Sequence, residues 1–338
     1  MTAQPQPLPP RPAPASAAPA SAAAPLASQA APAHPARLRN VGPLTLLTWP
    51  ALEASGADAA VTTRGGGVSS GPYTSLNLSL SVGDDPALVL ENRRRLATAL
   101  DVSPGDFVFA RQVHGTGVRI VGQADRGSGA FTLDDAIEDA DALVTRSPGV
   151  VLAILTADCV PIVLHDPVAG VLACVHAGWR GTVARVCAAA VAAMESLGSR
   201  PSDVIAGVGP AVALARYQVG PDVHHAVTQA FGPTASSAAP AVIRPDPAAP
   251  GRWLLDLWSA NRLVLRQAGL ADTQIQVTNL PTGPTGPTGP ENPGDLISPT
   301  DLARIGYFFS DRVARPCGRL ALVARLRAPG HEPMVVAT

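Results

Sequence analysis

The chain reads as a single α/β or α+β domain with mixed sheets, and three observations predict this. Short apolar runs of strand character alternate irregularly with segments of helical period. A strong turn signal joins two almost wholly apolar strands into a hairpin. Of 338 residues, roughly 250 carry such patterning, enough for one large core. The irregular order excludes a regular βαβ array.

Residues 1–40 come first and are mostly Ala and Pro. With so few large apolar side chains they cannot offset their ordering entropy, so they read as a disordered tail. They lack the basic start and apolar core of a signal peptide. The domain spans 41–328, and 329–338 form a C-terminal tail. Two segments read as insertions. One lies near 231–251 and is rich in Pro, Ala and Ser; the other lies near 281–300, around a threefold Thr-Gly-Pro repeat.

Within the domain, Thr74 to Ser79 places polar residues at alternate positions and reads as a strand with one hydrogen-bonding face. Arg93 to Arg95 read as a solvated helix face. Phe107–Phe109 and Val118–Val121 read as two strands around a turn. Ala142–Val144 and Val150–Leu155 are further strands. Ile162–Leu164 and Val171–Val175 flank Asp166-Pro-Val-Ala-Gly, the strong turn. A mostly buried helix is predicted from Thr182 to Leu197, an amphipathic one from Leu255 to Ala268, and a third from Asp222 to Ala230.

Composition narrows the chemistry. The 25 basic residues are all arginine. This removes lysine Schiff bases, lysine nucleophiles and lysine phosphate loops. Anions must be held by arginine, backbone N–H groups or a metal. A net charge of -1 gives no field for nucleic acid or a membrane surface. No run of about 18 apolar residues predicts a membrane span. The four cysteines form no CxxC pair, and a reducing cytoplasm is expected.

The hairpin carries the sharpest candidate. A turn centred near Val168 sets Cys159 almost opposite His176, just beyond the paired strands. Pro161 cannot donate to a ladder, so Cys159 falls in the loop before it. His176 leads through Ala177-Gly178-Trp179-Arg180-Gly181 into a helix, where positive charge gathers and thiol pKa values fall. A structural Cys and His, a nucleophilic Cys-His pair and a metal site are the three readings. The metal reading needs a third ligand. His114, in Gln112-Val-His-Gly, is a candidate beside His34, His165, His224, His225 and His331. Asp158 precedes Cys159 as a supporting group, base or turn cap. The glycine triplet after Arg64 could wrap its amides around an anion. Cys174 shares the face of His176 and reads as a small buried hydrophobe.

Taken together, several motifs resemble one family. They are Arg64-Gly-Gly-Gly-Val-Ser, Ser75-Leu-Asn-Leu-Ser, Gln112-Val-His-Gly, Ala140-Asp-Ala-Leu-Val-Thr, Thr156-Ala-Asp-Cys-Val-Pro and Val175-His-Ala-Gly-Trp-Arg-Gly-Thr. The chain resembles the YfiH-like laccase-domain proteins, also called the multicopper polyphenol oxidase family. The resemblance implies an α+β fold layered α/β/β/α. It also implies a metal site of His114, Cys159 and His176; an open fourth position there suits zinc, and the oxidase name makes copper the other candidate. The implied activity is phosphorolysis of adenosine, inosine, guanosine or methylthioadenosine, together with adenosine deamination. Catalytic candidates are then Cys159, His114, His176 and Asp158. Substrate-binding candidates are Arg64, Ser75, Asn77, Gln112 and Arg180. The implied partners are a purine nucleoside and phosphate, with protein partners left open. The alternatives are a Cys-His hydrolase acting on amides and a copper-dependent polyphenol oxidase. The chain departs from the family pattern at Ala211, where Cys is usual, and at Asp311, where Tyr is usual. The insertion near 281–300 occupies the place of a usual Cys-Thr pair.

Overall fold

A computed structural model describes residues 35–232, 241–284 and 306–328. Most of the predicted N-terminal tail, the Thr-Gly-Pro repeat from residue 285 and the 329–338 tail lie outside the described residues. The tail reading ends too late, however. Arg37–Val41 forms strand β1, paired antiparallel with β2 (Leu44–Thr48) in register Arg37 to Thr48. Leu44 and Leu46 are buried on one face of β2 and Leu47 on the other, so apolar packing anchors the hairpin from both sides of β2.

Two six-stranded sheets make up most of the domain. The first has the order β1-β2-β3-β15-β7-β4, with β3 at Ala57–Thr62, β4 at Phe107–Phe109, β7 at Val151–Thr156 and β15 at Leu320–Leu326. The second has the order β14-β10-β8-β9-β6-β5. Its strands are β5 (Val118–Ile120), β6 (Ala142–Thr145), β8 (Val160–Asp166), β9 (Val171–Ala177), β10 (Ile205–Val208) and β14 (Ile275–Val277). Parallel and antiparallel pairs occur in both sheets.

Side-chain alternation shows how the layers stack. Val61, Ile154 and Leu322 of the first sheet share a core with Leu143, Val163, Leu172 and Cys174 of the second. The opposite face of the second sheet, through Val160, Ile162, Val171, Ala173 and Val175, packs on helices α4 (Val186–Ser196) and α6 (Leu257–Gln267). The outer face of the first sheet packs on Leu96 and Ala97 of α2 (Pro86–Ala99). This is the expected α/β/β/α layering. Helix starts are fixed locally: Asp85 accepts from the Ala87 amide and Asp256 from the Ser259 amide.

Several expectations need correction. Phe107–Phe109 and Val118–Ile120 do not pair with each other. The first joins β7 and the second joins β6, so the chain between them crosses from one sheet to the other. The predicted helix 182–197 is two helices, α3 (Trp179–Val183) and α4, because Arg185 takes a left-handed backbone. Thr74 to Ser79 is no strand: Ser75 and Leu76 donate to the Arg64 carbonyl in a looped chain. Arg93 is not solvated. It is buried, donates to the carbonyls of Leu78, Gly129 and Ala130, and lies over Phe109. Burial lowers it to about 9, and those carbonyls offset the desolvation. The expected insertion near 231–251 holds a strand, β12 (Ile243–Pro245), with Ile243 buried. It pairs with β13 (Trp253–Leu255), which also pairs with β11 (Gln218–Val219), forming a third, small sheet.

Candidate metal centre

His114, Cys159 and His176 meet where the chain passes between the two large sheets. His114 lies on the crossing from β4 to β5, Cys159 on the crossing from β7 to β8, and His176 near the end of β9. The hairpin register pairs Pro161 with His176 and Val160 with Ala177, so Cys159 stands just beyond the ladder. Cys159 falls in the loop before the strand as expected, but the residue facing His176 is Pro161, two positions along. His176 shares with Leu172 and Cys174 the face turned toward the first sheet.

The ligand atoms of the three residues all lie within 4.8 Å of one another. The two imidazole rings are edge to face, 4.7 Å apart. Among the described residues they form the only such group of three His, Cys, Asp or Glu donors. Thiolate and imidazole are the donors zinc prefers, and three of them leave a fourth position open. Gly178 keeps the centre clear: a Cβ there would stand 2.9 Å from the Cys159 sulfur and 3.0 Å from the His114 ring. The residues therefore fit a tetrahedral metal. Copper would accept the same donors, but one group of three does not supply a multicopper cluster.

Asp141 organises this centre, and sequence reasoning missed it. Its carboxylate bonds His176 Nδ1 at 2.7 Å and accepts the amides of Val113, His114 and Gly115. Its carbonyl accepts the His176 amide at 2.7 Å. One buried aspartate thus fixes the loop of one histidine and the ring of the other. With Nδ1 turned to Asp141, Nε2 is left for the centre. The signal was an Asp beside the apolar strand Ala142–Thr145, a charge in a buried position.

Charges within the group are coupled. Burial opposes the Cys159 thiolate, but the charge of His176 and hydrogen bonds from both histidines bring the thiol down to about 6. Burial likewise opposes the charged His176 ring, yet Cys159 and Asp141 raise it to about 9. By contrast, burial pushes the Cys174 thiol well up, as its reading as a buried hydrophobe requires.

Asp158 sits beside the centre in a left-handed backbone conformation. Its carboxylate accepts the hydroxyls of Thr282 and Ser310 and the Arg312 amide, so it ties three distant segments together. The Arg312 guanidinium lies 5.0 Å from the Tyr217 ring. Burial pushes the Tyr217 phenol up, and the charges of Cys159, Arg312, Asp158 and Arg180 also act on it.

The remaining candidates divide. Arg180 is exposed at the start of α3 and stacks on Trp179. Gln112 uses both ends of its amide on the backbone of Leu155 and acts as an extra rung beside β7. Arg64 donates to the Thr74 carbonyl and lies over Phe309. Ser75 bonds the Gly67 amide and the Arg64 carbonyl. Asn77 is buried against Ser79, Asp84 and Arg319. The amides of Gly67, Val68 and Ser69 are already bonded within the protein. A Cβ at Gly67 would meet the Ser75 carbonyl at 2.1 Å, so that glycine serves close chain approach.

Residues 58–287 match the family described as multi-copper polyphenol oxidoreductase laccase. A purine nucleoside phosphorylase of Deinococcus radiodurans is 45% identical over 213 residues, 63% of this chain and 76% of the relative. A protein named adenosine deaminase RL5, from an unknown prokaryotic organism, is 39% identical over 225 residues, 67% of this chain and 84% of the relative. The crystal structure of the hypothetical protein YfiH of Bacillus licheniformis superposes with a TM-score of 0.72 at 30% identity, covering 86% of this chain and 99% of that one.

Proposed function

The chain belongs to the multi-copper polyphenol oxidoreductase laccase family, and from that premise we propose a purine nucleoside phosphorylase with adenosine deaminase activity. His114, Cys159 and His176 would hold zinc. The observation that carries the reading is the convergence of their ligand atoms within 4.8 Å of one another, a three-donor set that would leave zinc a fourth position. The substrates named are adenosine, inosine, guanosine or methylthioadenosine, with inorganic phosphate.

In phosphorolysis a phosphate oxygen bonds the ribosyl C1′, the bond from C1′ to the purine nitrogen breaks, and the purine takes up a proton. In deamination water adds at the purine amino carbon and ammonia leaves. Zinc bound at the three donors supplies Lewis acidity for either reaction. The protein's own groups do the rest. Asp141 holds His176 and the His114 loop in place. Arg180, exposed beside the centre, is the cation offered to phosphate. Asp158 fixes the Arg312 segment, whose guanidinium lies over the Tyr217 ring. All four cysteines are free, which suits the proposed reducing cytoplasm. No helix among the described residues is long and apolar enough to cross a membrane.

Incubation of the purified protein with adenosine and phosphate tests the reading. Adenine with ribose 1-phosphate, or inosine, is expected by chromatography. Neither product at full zinc occupancy overturns it. The lowered Cys159 thiol beside His176 favours one other reading, a metal-free hydrolase acting on amides. That enzyme would ignore chelators and be inactivated by iodoacetamide. Copper at one equivalent with oxygen uptake on phenols would mark an oxidase.

A further inference from the structure

A cavity of about 380 Å³ opens at the far end of the β8–β9 hairpin, lined by Ser55, Gly56, Arg146, His165, Leu326 and Arg327 among others. At the strand rise of about 3.3 Å per residue it lies about 20 Å from Cys159. It belongs to no part of the metal centre.

His165 is buried, with 2% of its surface exposed. Its Nδ1 stands 2.8 Å from the Ser55 hydroxyl, and that hydroxyl donates its one proton to the Leu52 carbonyl, also at 2.8 Å. Nδ1 must therefore be the protonated nitrogen, and Nε2 is a bare acceptor. No hydrogen bond of the described residues reaches that Nε2. Burial keeps the ring neutral, lowering it to about 4. The Arg327 Nε is also buried without an acceptor. Asp58 pairs with both Arg325 and Arg327, so one positive charge remains there. Arg146 adds another at the exposed rim, where it reaches the Ala169 carbonyl, and the oxygens of Asp166, next to His165, are taken by the amides of Val168, Ala169 and Arg200.

We propose that this cavity is a second binding site, for a small anion that carries a hydrogen-bond donor, with hydrogenphosphate as its simplest occupant. The arginines attract the anionic oxygens, and His165 Nε2 accepts the remaining O–H. Sulfate offers the same charge without a donor. A phosphate monoester, with its second pKa near about 6, has lost its donor at pH 8, so free phosphate and a phosphorylated metabolite are separable.

The His165 ring nitrogens, assigned by their loss in His165→Asn, can be followed by NMR on the whole chain at pH 8. Inorganic phosphate should move the Nε2 resonance saturably. Arg146→Gln, an exposed change, should weaken that binding at least ten-fold. Sulfate and a monoester should leave the resonance in place. No saturable shift with phosphate, an equal shift with sulfate, or unchanged affinity in Arg146→Gln would each overturn the proposal. An equal shift with the monoester would do so too. The readout needs no turnover, so it stands or falls apart from the enzymatic reading.

Discussion

The two ends of one hairpin carry two histidines under nearly equal burial, and their protonation is driven in opposite directions. His165 and His176 are 2% and 3% exposed and share the face of the second sheet that meets the first. His176 has Asp141 on Nδ1 and Cys159 beside it, and it is raised to about 9. His165 has only a hydroxyl on Nδ1, and it is lowered to about 4. Burial opposes the charged ring in both; the Cys159 charge, followed by the Asp141 hydrogen bond on Nδ1, overturns it at His176, and no comparable partners do so at His165. One end gathers charged groups and three candidate metal donors; the other keeps a neutral ring.

The contrast breaks most completely at the metal end. Cys159→Ala removes one of three donors, and the variant should neither retain stoichiometric zinc nor turn over nucleosides, by metal analysis and chromatography. The hairpin itself should persist, since Cys159 lies outside its ladder.

Acid titration comes next and sharpens the other end. A histidine lowered from 6.5 to about 4 disfavours protonation in the folded state. Stability is therefore unaffected above about 6.5 and is lost as pH falls toward 4, by on the order of 3 kcal/mol. Denaturant midpoints of wild type minus His165→Asn should show that slope. The metal-free centre should contribute almost none between about 6.5 and 8.5. Its native thiolate and imidazolium hold one proton, as do the unfolded thiol and imidazole.

Asp141→Asn makes the smallest change, turning the charge-holding end toward the neutral one. Metal affinity should fall about 10- to 100-fold, measured by competition with a chromophoric chelator, and the His176 ring of the metal-free variant should titrate below about 9. Unchanged affinity would mean that the carboxylate only shapes the loop.

Much of this contrast is legible in the sequence, because the turn at Asp166–Gly170 fixes which residues can face each other across β8 and β9. Local signals also located α5 (Pro221–Phe231) and α6 closely. Contacts between distant segments left weaker traces. Phe107–Phe109 and Val118–Ile120 resemble a hairpin locally, and only the competing strands β7 and β6 separate them. Arg93 looks solvated until its three carbonyl partners, from two other loops, are known. Ser75 and Asn77 offer the chemistry of a binding surface, yet the chain consumes it in holding its own loops. Asp141 was hidden for the opposite reason. Its motif was visible, but its job is to support other groups.

The crossings that carry His114 and Cys159 have a mechanical consequence. Each spans the gap between the sheets, while His176 is fixed to one of them, so the three ligand atoms measure how the sheets sit against each other. The affinity of a metal proposed to bind there would become a gauge of that spacing. Trimming a side chain from the shared layer, such as Ile154 or Leu172, would register at the centre as a change in grip, with no ligand touched.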